Sequence, residues 1–430
     1  MKIAIKGAHL LDPKNNVDEI GNIYIENGIV IGKSSRKTQD VEIDASGLYL
    51  IPGLVDIHSH FREPGKEDAE TIESGSRAAL KGGYTTVCVM PNTEPPIDNE
   101  GVARFIKEKA IENKKCRIFP VGTITKGREG RELSEMGHLY EAGCVAFSDD
   151  GNCVMNPAVL RRALEYSLFL EVPIIEHPED MLLSKNGQIN EGIISTKLGL
   201  KGIPDISEAS IVARDILLSK FTEGRLHLAH ISSEESVSII KYGKSKSIRV
   251  TAEVTPHHLL LTEEEVLSFD TNTKMKPPLR TKSDRDALQK ALKEGIIDSV
   301  ATDHAPHPDY EKELEYSLAP FGVIGLETAF SALYTKLILP STLSFKQLIL
   351  CMTDKPAQIL ALPVGEIKKG GTADFTLLDL GSEWEVDPDD FESKSKNSPF
   401  IGWKLKGVIK ATIVNGFLPY REGEFLREEK

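Results

Sequence analysis

Between Gly53 and about residue 365 the chain repeats one alternation eight times, a short apolar run followed by a polar stretch. The runs are LVDIHSH, TTVCVMPN, RIFPVGTI, CVAFSDD, PIIEHPE, RLHLAHIS, IRVTAEVTPHHLLL and IDSVATDHAPH. Between them lie stretches with helical periodicity: AETIESGSRAALKGG, GVARFIKEKAIENK, PAVLRRALEYSLFL, SEASIVARDILLSKF, EESVSIIKYGKS and DRDALQKALKEG. Strands that alternate with helices must pair in parallel, through right-handed crossovers. Eight such units suggest a (β/α)8 barrel, whose chemistry lies at the C-terminal strand ends. ETAFSALYTKLI and FKQLILCMTDKPAQIL follow the eighth run and are expected to pack outside the barrel. The polar stretch Tyr310–Pro320 is expected to be a mobile loop.

The two ends read differently. IAIKGAHLLD, GNIYIENGIVIGKSS and VEIDASGLYLIPG are short strands broken by Asn-Gly, Ile-Gly and Ser-Gly turn signals. GTADFTLLDL and GWKLKGVIKATIVNGFLPYREGEF repeat the pattern near the other end. The expected fold class is therefore α/β: a TIM-like barrel over 53–365 and a small β-sandwich domain formed from both termini, 1–52 and 366–430. At 430 residues, 40% hydrophobic and 27% charged, the chain has the profile of a soluble globular protein. No apolar run approaches the ~20 residues of a membrane span. MKIAIKGAHLLDPKNN carries charges inside its apolar part and does not read as a secretory signal. Five cysteines without CxxC spacing read as reduced thiols of a cytoplasmic protein. A formal net charge of -13 argues against nucleic acid or an anionic membrane as partner. An anionic substrate would have to be met by a metal and by specific arginines.

The ends of the proposed strands carry the ionisable groups. Side chains alternate along a strand, so His58 and His60 point the same way. The second strand ends in Asn92, the fourth in Asp149 and Asp150, the fifth in His177, the sixth in His230 and the eighth in Asp303, with His304 and His307 behind it. Imidazoles and carboxylates without thiolates suit a catalytic zinc or a related divalent ion. Any one of these histidines alone is more often structural, and His138, His227 and His257 are read that way. His227 is out of phase with His230 and is expected to face away from the rim. Convergence of so many ionisable groups is costly unless a metal compensates their charge.

D-x-H-x-H on the first strand, histidines ending the fifth and sixth, and an aspartate ending the eighth resemble the amidohydrolase superfamily. HFREPG, MPNTEPPIDN, FSDDG, HPED, AHISS, VTPHHLLL, KPPLR, ATDHAPH and APFG, in that order, resemble a class I dihydroorotase over nearly the whole chain. The resemblance implies the reversible cyclisation of N-carbamoyl-L-aspartate to dihydroorotate in pyrimidine biosynthesis, with one or two Zn2+ ions per subunit. It implies that His58, His60 and Asp303 hold one ion, that His177 and His230 hold the other, and that Asp150 bridges them. Asp303 would also be the catalytic acid-base. Arg62, Asn92 and His307, with His60, would hold the substrate carboxylate, and Phe321 and Gly322 would contact the ring through their backbone. Lys276 stands in KMKPPLR where the family often has the asparagine that contacts substrate. A homodimer and a complex with aspartate transcarbamoylase are the implied partners.

Two other readings remain open at this point. One is another cyclic amidohydrolase, a hydantoinase or allantoinase. Arg62 counts against it, because their substrates lack the carboxylate a guanidinium would grip. So does the absence of any lysine between Lys126 and Lys185, which removes a carbamylated-lysine bridge at the fourth strand. The other is an inactive subunit that supports aspartate transcarbamoylase, which the retention of every expected ligand counts against.

Overall fold

The computed structural model describes residues 1–34, 38–113 and 115–426. Ser35 and Lys114, the last residues of two expected segments, and the final four residues lie outside that range.

All eight expected barrel strands form: β1 (Leu54–Ser59), β2 (Tyr84–Val89), β3 (Arg117–Pro120), β4 (Phe147–Ser148), β5 (Ile174–Glu176), β6 (Leu226–Leu228), β7 (Val250–Val254) and β8 (Ser299–Val300). β1 to β3 pair in parallel as one sheet, and β4 to β8 as another. Single parallel bridges, Gly122 to Phe147 and Ser59 to His304, close the two sheets into a ring. The outward side chains Leu54, Val87, Ile118, Phe147, Ile174, Leu226, Ala252 and Val300 share one apolar cluster with Ala79, Ile106, Leu164, Ile216, Ile240 and Leu292 of the surrounding helices. Each large side chain buried there contributes about 1.5–3 kcal/mol. A separate cluster fills the ring, with Val55, Ile57, Cys88, Val121, Ala146, Ile175, Ala229 and Ala301. Ala357, Ile359 and Leu360, from the helix Asp354–Leu360 after β8, pack into it.

Helix starts follow the sequence closely. Thr71, Thr281 and Ser344 cap Ile72–Lys81, Lys282–Glu294 and Phe345–Met352, and the amide of each donates in return to the side chain of the third helical residue. One expectation fails in part. IRVTAEVTPHHLLL is strand only over Val250–Val254, because Pro256 opens a short helix, Pro256–Leu260, capped by Thr255.

The two ends build one sheet of nine strands. Lys2–Asp12 pairs with Val17–Glu26, and Tyr49–Pro52 pairs antiparallel with Phe375–Glu385, which joins the N-terminal strands to the C-terminal ones. Ile3, Ile5, Leu10, Ile23, Ile25, Leu50, Phe375, Leu377 and Ile413 form a second core, separate from that of the barrel. Between Phe375–Glu385 and Lys404–Val414 the chain leaves this sheet and reaches the barrel rim, where Ser393 donates to Glu70 and Asn397 Nδ2 donates to Ala305 O at 3.1 Å.

Candidate metal centre

Six side chains from five strand ends meet at the centre of the rim. His58, His60 and Asp150 form one group of closely spaced ligand atoms, and Asp150, His177 and His230 form another. Asp150 belongs to both. Its Oδ1 lies 3.3 Å from His58 Nε2, 3.5 Å from His177 Nδ1 and 3.6 Å from His230 Nε2, and its Oδ2 lies 3.5 Å from His60 Nε2. Asp303 Oδ1 is 3.0 Å from His60 Nε2 and 3.6 Å from His58 Nε2. Ligand atoms bound tetrahedrally at ~2.0–2.1 Å from zinc stand roughly 3.3 Å apart. The donor set therefore fits divalent ions. Two orphans agree with this: His58 Nε2 and Asp150 Oδ1 are buried without a hydrogen-bond partner among the described residues.

In three of the four rings the free nitrogen is chosen by what the other nitrogen binds; His230 Nδ1 has no partner among the described residues, and its Nε2 lies 2.9 Å from His177 Nδ1. His58 Nδ1–H donates to Glu253 Oε1 at 2.6 Å, which leaves Nε2 for the centre. His60 Nδ1–H donates to Asn92 Oδ1 at 2.7 Å. His177 reverses the pattern, with Nε2–H donating to Glu179 Oε2 at 3.1 Å and Nδ1 facing Asp150. Such outer carboxylates fix the ring and raise its basicity as a ligand. Burial opposes the charge on Asp303, yet the hydrogen bond from His60 and the field of His58 outweigh it and hold the carboxyl below its usual range. Burial pushes the Arg62 guanidinium down to about 10.

The supporting side chains come from distant parts of the chain. Asp56 accepts from Thr302 N at 3.0 Å and Thr302 Oγ1 at 2.6 Å, which ties β1 to the turn that carries Asp303. Glu208 accepts from Ser232 N at 3.1 Å and Ser233 N at 3.1 Å, which fixes the turn after His230. Asp149 takes the amides of Ile124 and Thr125 rather than facing the centre. Arg62, His230 and Asp303 have φ values of 62°, 30° and 47°. Side chains rarely adopt that region, at a cost of about 1–3 kcal/mol each, and such strain concentrates at functional sites.

The remaining expected residues stand beside the metal cluster. Arg62 Nε donates to Pro306 O at 3.1 Å, and its Nη2 lies 3.5 Å from His307 Nε2. His307 Nε2 is 2.9 Å from Phe321 O, so the segment Phe321–Gly322 shares the same wall. Lys276 Nζ lies 2.9 Å from Glu179 Oε2 and 5.7 Å from the centroid of the Phe321 ring. His304 is turned away, with Nε2–H donating to Glu70 and Nδ1 accepting from Gly325 N.

Two expectations need correction. His227 does not face away. Leu226 and Leu228 point to the helices, so His227 points into the ring, where it meets Glu253 Oε2 at 3.0 Å and Thr251 Oγ1 at 2.9 Å. The strand ladder ends at Leu228, so alternation no longer relates it to His230. Nor is Tyr310–Pro320 a free polar loop. It begins in the short helix Asp309–Lys312, and Lys312, Tyr316 and Ala319 are buried. The centre's outer carboxylate Glu253 was not picked out in the sequence, although a lone acid inside the apolar run VTAEV is a usable signal.

Residues 47–236 match the family model described as dihydro-orotase-like. The chain is 46% identical to a dihydroorotase of Geobacter metallireducens, over 98% of this chain and all of that one. It is 48% identical to a dihydroorotase of Endomicrobium trichonymphae, over 97% of this chain and 99% of that one. Among solved structures it resembles an L-hydantoinase of Arthrobacter aurescens, with a TM-score of 0.89 at 24% identity over 99% of this chain and 97% of that one. A dihydropyrimidinase of Brevibacillus agri gives 0.85 at 21% identity, over 99% and 96%. At that identity the structural likeness establishes the barrel-and-sandwich fold alone, whereas full-length identity near one half carries kinship, and by it the chain belongs to the dihydroorotase family.

Proposed function

We propose that the chain is a dihydroorotase, interconverting N-carbamoyl-L-aspartate and dihydroorotate with loss or gain of water. The observation that carries this reading is the placement of Arg62 and His307 beside the six-ligand cluster. Ring opening needs a cyclic-amide hydrolase centre, and this substrate also needs a carboxylate grip.

His58, His60 and Asp303 would hold one ion and His177 and His230 a second, with Asp150 shared; Zn2+ is the ion proposed. When bound, such ions lower the pKa of a shared water and polarise the amide carbonyl. Asp303 accepts the proton of the attacking water and passes it to the leaving ring nitrogen. Arg62 pairs with the substrate carboxylate in a bidentate grip, and Asn92, turned by its bond to His60, offers its Nδ2. Burial first, then Arg62 and Lys312, push His307 down to about 2, while Glu311 Oε2 lies 2.9 Å from its Nδ1 and Phe321 O 2.9 Å from its Nε2. Phe321 and Gly322 would line the substrate ring with their backbone, whose Gly322 N–H and C=O and Phe321 C=O are held by protein partners. Lys276 stands above Phe321 as a cationic neighbour of the ring while it is paired with Glu179.

We further propose that residues 53–365 form the catalytic barrel, and that 1–52 with 366–430 form the flanking domain. No helix among the described residues is long and apolar enough to cross a membrane. A cytoplasmic location, a homodimer and a complex with aspartate transcarbamoylase complete the proposal. Light scattering with and without the transcarbamoylase reads the assembly.

The test of function is turnover of dihydroorotate, hydantoin and allantoin by purified protein of measured metal content. The expected result is turnover of dihydroorotate alone, with up to two ions per chain. Turnover of hydantoin but not dihydroorotate would overturn the reading, and metal-free, inactive protein would favour a silent subunit.

A further inference from the structure

Two lysines that the chemistry above does not use are buried beside the substrate wall. Lys274 is 2% exposed and Lys312 is 7% exposed. Neither ammonium has a direct ion-pair partner among the described residues, although Asp270 and Glu311 act on Lys312 from farther off. Burying a charge without a counter-charge is expensive, so something else must solvate it. That something is the backbone of one short segment.

Lys274 Nζ donates to Tyr316 O and to Ala319 O, both at 2.6 Å. Lys312 Nζ donates to Pro320 O and to Gly322 O, both at 3.1 Å. His307 Nε2 takes Phe321 O at 2.9 Å, and Asn397 Nδ2 takes Gly322 O at 3.1 Å. The carbonyls of residues 316, 319, 320, 321 and 322 are thus all gathered by side-chain donors. The remaining face of the Lys274 ammonium meets the Phe321 ring, 4.6 Å from its centroid. Gly322 N closes the knot by donating to Lys274 O at 3.0 Å.

We propose that Lys274 and Lys312 are positioning residues that hold Phe321 and Gly322 in the geometry that receives the substrate ring. This rests on the dihydroorotase reading and deepens it, by naming the groups that preorganise the ring-contact segment. Three features make the segment dependent on them. Five carbonyls bonded by side chains are not paired in a helix or a strand ladder, so they depend on those donors. Gly322 has a φ of 130°, and a Cβ there would come within 2.8 Å of Ala305 Cβ, so its backbone has one tight seat. Burial pushes Lys274 down to about 8 and Lys312 to about 7, a penalty that the clamp carries in the folded state. A preformed wall lowers the ordering cost of binding, so its loss appears in KM rather than in the proton transfers at Asp303.

The test uses the metal-loaded holoenzyme. Lys274→Met and Lys312→Met keep the aliphatic stem and remove the donors. Each is expected to raise KM for dihydroorotate about tenfold, to change kcat by less than threefold and to leave the metal content unchanged. Hydrogen exchange over residues 313–322 is expected to accelerate at least tenfold. Lys312→Arg, which restores charge and donors, is expected to recover part of the KM. Folded Met variants with KM and loop exchange within twofold of the parent would overturn the proposal, and so would a loss confined to kcat. If neither Met variant folds, exchange in the unaltered protein decides. Protection of 313–322 comparable to that of the strand ends supports the clamp, and exchange at the rate of an exposed loop overturns it. The exchange measurement needs no substrate, so it stands apart from the parent's turnover of dihydroorotate, which tests the functional reading.

Discussion

The two halves of the rim are built on opposite plans. The candidate metal half stands on strand ends, and its orienting carboxylates come from the same ring: Glu253 from β7 for His58, and Glu179 just past β5 for His177. The proposed substrate half stands on loops. Arg62 leans on the carbonyl of Pro306, and Phe321–Gly322 hangs on Lys274, Lys312 and Asn397, the last supplied by the flanking domain's excursion. A parallel barrel fixes strand ends to within the tolerance that metal ligands need, because every strand is paired on both sides. Loops have no such ladder and rest on side-chain ties alone, whereas the turns just past β6 and β8 have the ladder behind them as well as ties from Glu208 and Asp56. The barrel half should therefore fail through loss of chemistry or of metal, and the loop half through loss of binding.

The largest expected effect tests the barrel half. Asp303→Asn is expected to lower kcat by about 10²–10⁴-fold, the usual worth of a positioned acid-base. Steady-state turnover of dihydroorotate reads it, and a loss below tenfold would remove Asp303 from the proton path. Next is the loop half. Arg62→Ala is expected to cost about 2–5 kcal/mol in kcat/KM for N-carbamoyl-L-aspartate, carried by KM, because it unpairs a desolvated carboxylate. Near-normal KM would remove Arg62 from the substrate grip.

Glu253→Gln keeps the shape of the group behind His58 but removes its charge. Metal affinity is expected to fall about 10–100-fold, read by competition with a chromogenic chelator. Unchanged affinity would make the Glu253–His58 bond a packing contact only. The smallest effect concerns protons. In the metal-free protein burial opposes the charge of His177, but Asp150 and Glu179 outweigh it and bring its pKa to about 9. The ring is then protonated near neutral pH, and an ion must displace that proton. Zn2+ added to metal-free protein in weak buffer at about pH 7 is expected to release at least about one proton per chain. Stoichiometric uptake with no release would remove His177 from the ligand set. The sign for stability follows from the same shift: the raised pKa stabilises the metal-free fold below the unfolded value of ~6.5, and this is lost as pH rises through about 9.

Much of the barrel half is legible in the residues alone. His58, His60, Asp150, His177, His230 and Asp303 each follow an apolar run, and period and position are local properties that a chain displays without folding. Alternation failed for His227 and His230 because it holds only while the ladder lasts, and the ladder stops at Leu228. The loop half was less legible. YEKELEYSLAP reads as a polar loop because lysine and glutamate are usually solvated. Nothing near Lys312 in sequence shows that its ammonium will be solvated by carbonyls instead.

By itself the sequence determined the order of strands and helices, the pairing of the two ends into one sheet domain, and the residue types available at each strand end. Only the tertiary structure decided which nitrogen of His58, His60 and His177 is free, that Asp150 touches both histidine groups, and that two buried lysines bond the carbonyls of residues 316–322. The reason is physical. Periodicity is set by neighbours a few residues away, whereas the bond that orients His58 joins residues 195 apart and exists only once the barrel has closed.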